Sequence, residues 1–376
     1  GNNFINGAST IYFDAVSRRR IYNSIDSANL NRSQLLKKEY QNLKYKLGRI
    51  PTLKEFDDHG ELDPLRIIQY SKSYHSFLKK YDSEYSVEFT PEQEGILEFI
   101  SYRFASGMRI HELSLLKFLI CSPDLIDLWE DHLLNTYGVA IDDLCRASIR
   151  NVLSNKFFRS MKVSPNLIDT EVEGFKASPQ LVEAIKDETF KEALLDVINF
   201  GIYRYNLNYS NNYKGTQFNL NKKYTYTDVC WLLNWKAEEV SLNIGGYKYD
   251  KYTNTYPVFI NYDKSEEVSA SIRYEDRFVD QSRLIAISKS QRTIASDDVD
   301  NAIHAEERHI LMPLFVRKNK DDKTSKEFYF LGTIKHNGHL QEFIMPDTDK
   351  SAVEIGYHLN TPVENNLYEY ITERTI

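Results

Sequence analysis

The spacing of the apolar residues changes character partway along this 376-residue chain. Up to about residue 205, apolar side chains recur three and four positions apart, which is the period of a helix that buries one face. Beyond residue 226, short runs rich in Val, Ile, Tyr and Phe dominate, separated by turn-forming residues. The sequence therefore predicts an α+β fold with an all-helical N-terminal half and an antiparallel β-rich, barrel-like C-terminal domain.

The chain is longer than a single hydrophobic core usually grows, so more than one domain is expected. We predict a small basic helical module of helix-turn-helix size at 1–90, a helical middle domain and linker at 91–219, and a β-rich barrel-like domain at 220–376. Their formal net charges are +3, −5 and −5. The stretch 203–226 is rich in Tyr and Asn and is interpreted as a linker or an exposed hairpin. The predicted strands of the last domain are 246–249, 257–262, 284–288, 310–317, 327–335 and 352–359.

The three cysteines, Cys121, Cys145 and Cys230, are widely spaced and have no CxxC or Cys/His pattern beside them. This argues against a disulfide framework and a structural zinc, and favours a cytoplasmic location with Cys121 and Cys230 in the core. No run of eighteen apolar residues occurs, and the polar opening at Gly1 is unlike a signal peptide, so no membrane partner is expected.

Positive charge is concentrated near the N-terminus, although the whole chain has a formal charge of −7. Leu36, Tyr40, Leu43 and Leu47 recur at helical spacing, and most lysines of this segment fall on other faces. The net charge of −7 excludes a uniformly basic nucleic-acid-binding surface over the whole chain, but it does not exclude a local phosphate contact. The alternative is that these basic residues only form a solvent-exposed face of the helices. The candidate phosphate contacts are Lys37, Lys38, Lys44, Lys46, Arg49 and Lys54.

The predicted β-rich domain mixes aromatic residues with Arg, Asn and Gln, the residue types that stack on and hydrogen-bond to an unstacked base. The alternative is that these rings are core residues, since Trp231 and Trp235 lie at helical spacing and tyrosines on strands usually face the sheet. The candidate base contacts are Trp235, Arg273, Tyr274, Gln281 and Arg292.

Clustered carboxylates at 275–280 and 297–300 have the residue types of a metal site, but they lack a nuclease-like lysine pattern. Capping and solvated roles are better supported. His336 and His339 flank Asn337-Gly338, which predicts a hairpin turn. No catalytic residue, metal site or cofactor is predicted for this chain.

Several segments resemble parts of bacterial DEAD/DEAH-box superfamily 2 helicases. Leu47–Phe56 with Ser73–Leu78 is similar to a module that follows the motor, and Phe4–Ala8 resembles the segment that leaves the second RecA-like domain. The third similarity, to the uncharacterised C-terminal domain of those helicases, is carried by Tyr224–Leu233, Tyr274–Phe278 and Leu331-Gly332.

The resemblance implies an ATPase motor and often a phospholipase-D-like nuclease upstream in the same polypeptide, with ATP and Mg²⁺ serving the motor. This chain has no GxxxxGK[ST] loop, DEAH-like box or HxK pair, so we expect no ATPase or nuclease activity from it. DNA and the upstream domains are the expected partners.

Two functional hypotheses remain. The first is a non-catalytic accessory region that engages DNA and recognises a base, a modification or a junction in DNA defence or processing. The second is a protein-interaction or autoinhibitory scaffold for the motor, which suits the negative balance of the last two segments.

Overall fold

The computed structural model describes residues 32–60, 62–159, 165–263, 275–319, 326–346 and 348–373. These residues form two compact units. The first, called the helical unit, takes the described residues within 1–141, 152–155 and 160–210; the second, called the sheet unit, takes those within 142–151, 156–159 and 211–376. The division into three parts at residues 90 and 219 stays a prediction.

The helical N-terminal half is confirmed. Its helices are α1 Arg32–Leu47, α2 Leu53–His59, α3 Leu65–Ser71, α4 Tyr74–Tyr81, α5 Pro91–Phe104, α6 Ile110–Cys121, α7 Trp129–Tyr137, α8 Asp143–Leu153, α9 Pro179–Ala184 and α10 Glu188–Asn208, with a 3-10 helix at Pro123–Leu128.

Helices α1 to α4 share a small core, and the predicted amphipathic helix is confirmed as α1. Leu36, Tyr40 and Leu43 are all at most 3% exposed. Gly48, at φ 69°, ends α1, because glycine adopts this left-handed conformation without a Cβ clash. Thr52 then begins α2 through a capping box in which the Thr52 and Glu55 side chains each accept from the other's backbone N–H. The core also contains Phe56, Leu62, Ile67, Phe77 and Leu78.

Helix α10 packs against α2, α5 and α6 in the helical unit. Close approach to its C-terminal end requires glycine at position 107: a Cβ there would lie 2.4 Å from the Tyr205 backbone N, and φ is +80°. Among the described helices, none is long and apolar enough to cross a bilayer.

The sheet unit contains a mixed, strongly curled half-barrel sheet. Its strand order is β2-β5-β6-β7-β4-β3, with β1 also paired to β6. Shorter helices accompany the strands. The elements are β1 Lys223–Tyr224, α11 Tyr226–Leu232, α12 Ser241–Ile244, β2 Val258–Asp263, β3 Arg277–Asp280, β4 Arg283–Ile287, α13 Asp297–Ile303, β5 Pro313–Asn319, β6 Phe328–Ile344, β7 Ser351–Leu359 and α14 Asn365–Thr372.

The predicted fold class is confirmed, with one difference in strand direction: β2 and β5 are parallel. Residues 264–312 separate these strands and contain β3, β4 and α13, and so long a connection lets the chain return in the same direction. Five predicted strands correspond to β2, β4, β5, β6 and β7. The sixth, 246–249, forms only an isolated bridge at Tyr247, and β1 and β3 were not predicted.

Strand β6 is the longest strand and takes part in both halves of the sheet. Its N-terminal part pairs with β5, and its remaining part pairs with β7. The predicted hairpin at His336–His339 is wrong, because these residues lie inside β6. There the register shifts between His336 and Leu340, so that residues 337–339 form a bulge opposite Gly356.

The core of the sheet unit lies on the face that receives alternate residues of β4 and β7. Leu284, Val353, Ile355 and Tyr357 belong to it. The interpretation of 203–226 as a linker or exposed hairpin stays a prediction. Within this stretch α10 continues to Asn208, the two units divide between residues 210 and 211, and the Phe218 ring is fully buried.

Candidate nucleic-acid interface

The exposed residues of α1 include no carboxylate, and Glu39, the one acid of this helix, is half-buried. Its buried residues fix the helix against the small core, so the opposite side chains point to solvent. Tyr45, at 88% exposure, is the most exposed ring of this face. The basic, amide and aromatic types present are those that contact phosphates and base edges. The exposed residues of α1 are Gln34, Lys37, Lys38, Gln41, Asn42, Tyr45 and Lys46.

Lys44 differs from the other lysines of α1 because it holds the helix to the segment after α4. Its Nζ lies 2.9 Å from both Asp82 Oδ2 and Glu84 Oε2. The Tyr40 hydroxyl also donates to Asp82 Oδ2, at 2.5 Å. Burial would raise the pKa of Asp82, but the hydrogen bonds from Tyr40 and Lys44 outweigh it and lower that pKa.

Arg49 and Lys54 also have local partners. Arg49 forms a forked contact with Glu55, at 2.5 Å from Nη2 and 2.8 Å from Nη1. Lys54 is exposed, with its Nζ 5.1 Å from the Tyr203 ring centroid. Within the part of the chain that the structure describes, Lys37, Lys38 and Lys46 form no ion pair. The nucleic-acid role of all six residues stays a prediction.

The five predicted base contacts are not brought together. Trp235 is 3% exposed, and its Nε1 donates to Thr255 Oγ1 at 2.8 Å, so its ring is a core group in this structure. Gln281 is half-buried, and its side chain donates to the Asn365 amide oxygen. Arg273 and Tyr274 lie outside the described residues. Arg292 belongs to a polar cluster.

That cluster, named here the Asp298 cluster, comprises Tyr247, Lys289, Arg292 and Asp298. The Tyr247 hydroxyl donates to Asp298 Oδ2 at 2.6 Å, and Arg292 Nε donates to the same oxygen at 2.8 Å. Lys289 Nζ donates to the Tyr247 carbonyl at 2.9 Å and lies 4.7 Å from its ring centroid. The Tyr247 ring also stacks on Tyr256, with 5.6 Å between centroids.

The electrostatics of the cluster favour an ionised Asp298. Burial acts to raise the pKa of Asp298, but hydrogen bonds from Tyr247 and Arg292 outweigh it and lower that pKa. Burial lowers the pKa of the Lys289 ammonium. The cluster therefore combines several donors with a half-buried carboxylate acceptor, a set able to bind the hydrogen-bonding edge of a polar ring.

Sequence reasoning named Arg292 but missed Lys289 and the pairing with Asp298. No local pattern could reveal this pairing, since Tyr247 precedes β2 whereas Asp298 lies in the first turn of α13. In the sequence, Asp298 was noted only as one member of the carboxylate cluster at 297–300. In the residues that the structure describes, no group of three or more His, Cys, Asp or Glu side chains is placed to hold a metal ion.

Two family models match the chain. Residues 36–211 match a domain of unknown function (DUF8090), and residues 218–371 match another domain of unknown function (DUF3427). The segments that resemble helicase modules in the two halves, 47–78 and 224–332, lie inside these matches. The connection to a helicase motor stays a prediction. No curated protein matches the sequence.

Three solved structures show distant similarity. KRYPTONITE in complex with mCHG DNA and SAH is 9% identical, with 39% of this chain and 33% of that chain covered and a TM-score of 0.27. SUVH5 SRA in complex with fully methylated CG DNA is 10% identical, with 41% and 95% covered and a TM-score of 0.27. SUVH6 of Arabidopsis thaliana in complex with SAM is 10% identical, with 73% and 41% covered and a TM-score of 0.28.

This chain thus spans about a third of the KRYPTONITE chain and less than half of the SUVH6 chain. Likeness at this level assigns no function to this chain.

Proposed function

We propose that this chain is a non-catalytic accessory region that engages DNA through α1. The observation that carries the proposal is the solvent face of α1, in which three lysines without ion pairs stand among amide and aromatic side chains and no carboxylate is exposed. ATP hydrolysis, with its Mg²⁺, would belong to a motor elsewhere in the polypeptide.

The physical basis is local attraction between lysines and phosphates. A chain of net charge −7 repels DNA as a whole, so a surface that binds it needs a segment free of acidic groups. Lys37, Lys38 and Lys46 lie on the exposed face of α1, where the one acid of the helix, Glu39, is half-buried, and Gln41 and Asn42 supply hydrogen-bonding groups beside them. An α-helix of this kind fits the major groove of B-DNA.

The test is a charge reversal with a matched control. Lys37→Glu, Lys38→Glu and Lys46→Glu together should weaken duplex binding at least tenfold for every sequence, because phosphate contacts carry no base information. The slope of log K against log salt should become shallower by about one unit for each phosphate that is no longer neutralised. Fluorescence anisotropy across a salt series measures both quantities.

The control variant carries Lys117→Glu, Lys214→Glu and Lys251→Glu, three exposed lysines outside α1. It has the same net charge as the first variant. If both variants lose affinity equally, binding reflects overall charge and the assignment to α1 is wrong.

The finer part of the proposal is recognition of a base, a modification or a junction by the sheet unit. The Asp298 cluster supports it, because its half-buried donors and acceptor are the groups that read a base edge. Asp298→Asn should reduce any preference for methylated, mismatched or single-stranded sites over plain duplex. Asp297→Asn, at the exposed neighbouring position, should leave the preference unchanged. Equal affinity of the wild type for all of these sites would contradict recognition by the sheet unit and would leave the proposed DNA contact of α1 unaffected.

A scaffold role is the second candidate, and one surface of the helical unit favours it. A cavity of about 680 Å³ has an apolar lining that includes Trp129, Phe175 and Ile185, and carboxylates of Asp124 and Asp127 also line it. Such a surface suits an apolar side chain flanked by basic residues. Tight binding to the separated motor together with no DNA binding would favour this candidate over the first.

A further inference from the structure

The helical unit contains a second cavity, of about 260 Å³, which the DNA proposal does not use. Its walls come from α2, α4, α5, α10 and the segments that precede them. Ile50–Leu53 and Ser73–His75, which belong to the two helicase-like motifs of the sequence, both line it. The volume lies just below the range of pockets for drug-sized ligands, so a small molecule or a single side chain fits it best.

The Asp196 carboxylate of α10 lines this cavity without a cation partner. Its two oxygens each lie 3.4 Å from the backbone N of Leu53, which is a weak interaction. Among the described residues no Lys, Arg or His forms an ion pair with it. Arg204, two turns further along α10, instead contacts Asp57 at 3.3 Å and Asp63 at 3.2 Å.

The residues that line the cavity are aromatic, apolar, hydroxyl-bearing or acidic, with one histidine and no Lys or Arg. Tyr74 lines the cavity, and its hydroxyl is occupied by the Pro51 carbonyl at 2.7 Å. His75 is 4% exposed, and burial lowers its pKa, so it is neutral at pH 7. Glu192 lines the cavity, and the negative charge of Glu55 acts on Asp196. The potential at the carboxylate is therefore negative.

Two nearby cations, Arg49 and Lys79, are already engaged with other carboxylates. Arg49 pairs with Glu55 at 2.5 Å, and Lys79 pairs with Glu88 at 2.7 Å while lying 3.9 Å from Glu94. Burial raises the pKa of Asp196 to about 6, which leaves it ionised at pH 7 at a cost in stability. A cation that enters the cavity would relieve that cost.

We propose that this cavity binds an alkylammonium group, with the ammonium on the Asp196 carboxylate and the alkyl chain against Tyr74, Phe89 and Leu97. A primary alkylammonium donates up to three hydrogen bonds from its nitrogen and has a flexible apolar chain. These two parts match the Asp196 carboxylate and the apolar side chains that line the cavity. The group has two possible sources, a free small amine or a lysine side chain of a polypeptide. The proposal is independent of DNA binding.

The primary test is an NMR titration of the whole chain with n-butylammonium chloride, with n-butanol as the uncharged probe. Saturating butylammonium should lower the pKa of Asp196 by at least one unit, as followed by its side-chain carbon shift. Protons compete for the same carboxylate, so affinity should be about tenfold weaker at pH 5 than at pH 7.5. Butanol should leave the pKa of Asp196 unchanged.

The matched variants are Asp196→Asn and Glu188→Gln, which lie two turns apart on the same helix. Asp196→Asn keeps an acceptor for Leu53 N, so the fold should persist, yet affinity for butylammonium should fall at least tenfold and lose its pH dependence. Glu188→Gln should bind within about twofold of the wild type, because its carboxylate is exposed and does not line the cavity. Equal binding by the wild type and Asp196→Asn, or no binding to the wild type, would overturn the proposal.

A second arm distinguishes the two sources of the ammonium. Nα-acetyl-lysinamide presents the group as a side chain, and Nα-acetyl-norleucinamide lacks the charge. Binding of the lysine derivative but not of norleucinamide supports a polypeptide lysine. Binding of butylammonium alone supports a free amine, and binding of both uncharged probes with similar affinity contradicts the role of Asp196.

Discussion

Arg109 and Glu112 form a forked ion pair in the interior of the helical unit. Arg109 Nε lies 2.6 Å from Glu112 Oε1, and Arg109 Nη2 lies 2.5 Å from Glu112 Oε2. The two side chains are 1% and 0% exposed. Glu112→Ala would leave the guanidinium buried without its counterion, so the free energy of unfolding should fall by about 3 to 5 kcal/mol. Urea denaturation at pH 7 measures this change.

The control for this prediction is the exposed pair of Arg146 and Asp143. It has the same spacing of three residues and an N–O distance of 2.8 Å, but the Asp143 side chain is fully exposed. Asp143→Ala should change the free energy of unfolding little, because water and salt screen a surface pair. Similar losses in the two variants would show that burial does not determine the strength of these pairs.

Gly356 on β7 faces the bulge of β6 and has no room for a side chain. A Cβ there would lie 2.4 Å from Asn337 Oδ1 and 2.7 Å from His339 Cβ. Gly356→Ala should therefore lower the free energy of unfolding by about 1 to 3 kcal/mol through overpacking. Thermal unfolding followed by circular dichroism measures the change.

Gly95 lies within α5 and, unlike Gly356, has room for a side chain. A Cβ at this position meets no atom within 4 Å, and its φ is in the ordinary helical region. Gly95→Ala should raise the free energy of unfolding by about 0.5 to 1 kcal/mol, since alanine loses less backbone entropy in a helix. A loss of stability here would mean that α5 is under constraints beyond local backbone preference.

Much of the fold could be predicted from local sequence. The helical period of Leu36, Tyr40, Leu43 and Leu47 predicted α1, which the structure places at Arg32–Leu47. The bulge in β6 could not be found this way. Asn337-Gly338 has the composition of a hairpin turn, and only pairing with β7 on both sides of it keeps the strand continuous.

The candidate sites were less predictable, because partners decide which charged groups are available. Six basic residues near the N-terminus look equivalent in sequence, yet Lys44 and Arg49 are bound to acidic residues of other segments. Asp196 was not singled out in the sequence. It lies beside α2 because α10 packs against that helix, and no cation of the described residues pairs with it there, which sequence periodicity cannot show.

Thiol reactivity should separate the three cysteines. Cys121 was expected in the core, but it is exposed at the last residue of α6, whereas Cys145 and Cys230 are buried. Burial raises the pKa of the Cys230 thiol to about 12, so little thiolate forms there near pH 8. Ellman's reagent should label one thiol per native chain and three in urea. Cys121→Ser should abolish the native reaction, and rapid native labelling of two thiols would contradict this assignment.

The pH dependence of stability should carry the signature of Asp196. Its pKa in the folded chain is about 6, above its ordinary value of 3.8, so the folded state holds an extra proton between these pH values. Stability from this group is therefore fully present below about pH 3.8 and is lost as pH rises through 6. At pH 7.5 the loss amounts to roughly 3 kcal/mol at most.

Asp196→Asn isolates this contribution, because asparagine does not titrate and the other ionisable groups remain. Urea denaturation of the wild type and the variant from pH 4 to pH 8 gives the free energy of unfolding of each. The difference should grow in favour of the variant as pH rises through 6 and then level off, since the Asp196 carboxylate is then fully ionised. In the wild type, saturating butylammonium should reduce the difference at pH 7.5. A difference that stays constant across this range would mean that Asp196 titrates alike in the folded and unfolded chains.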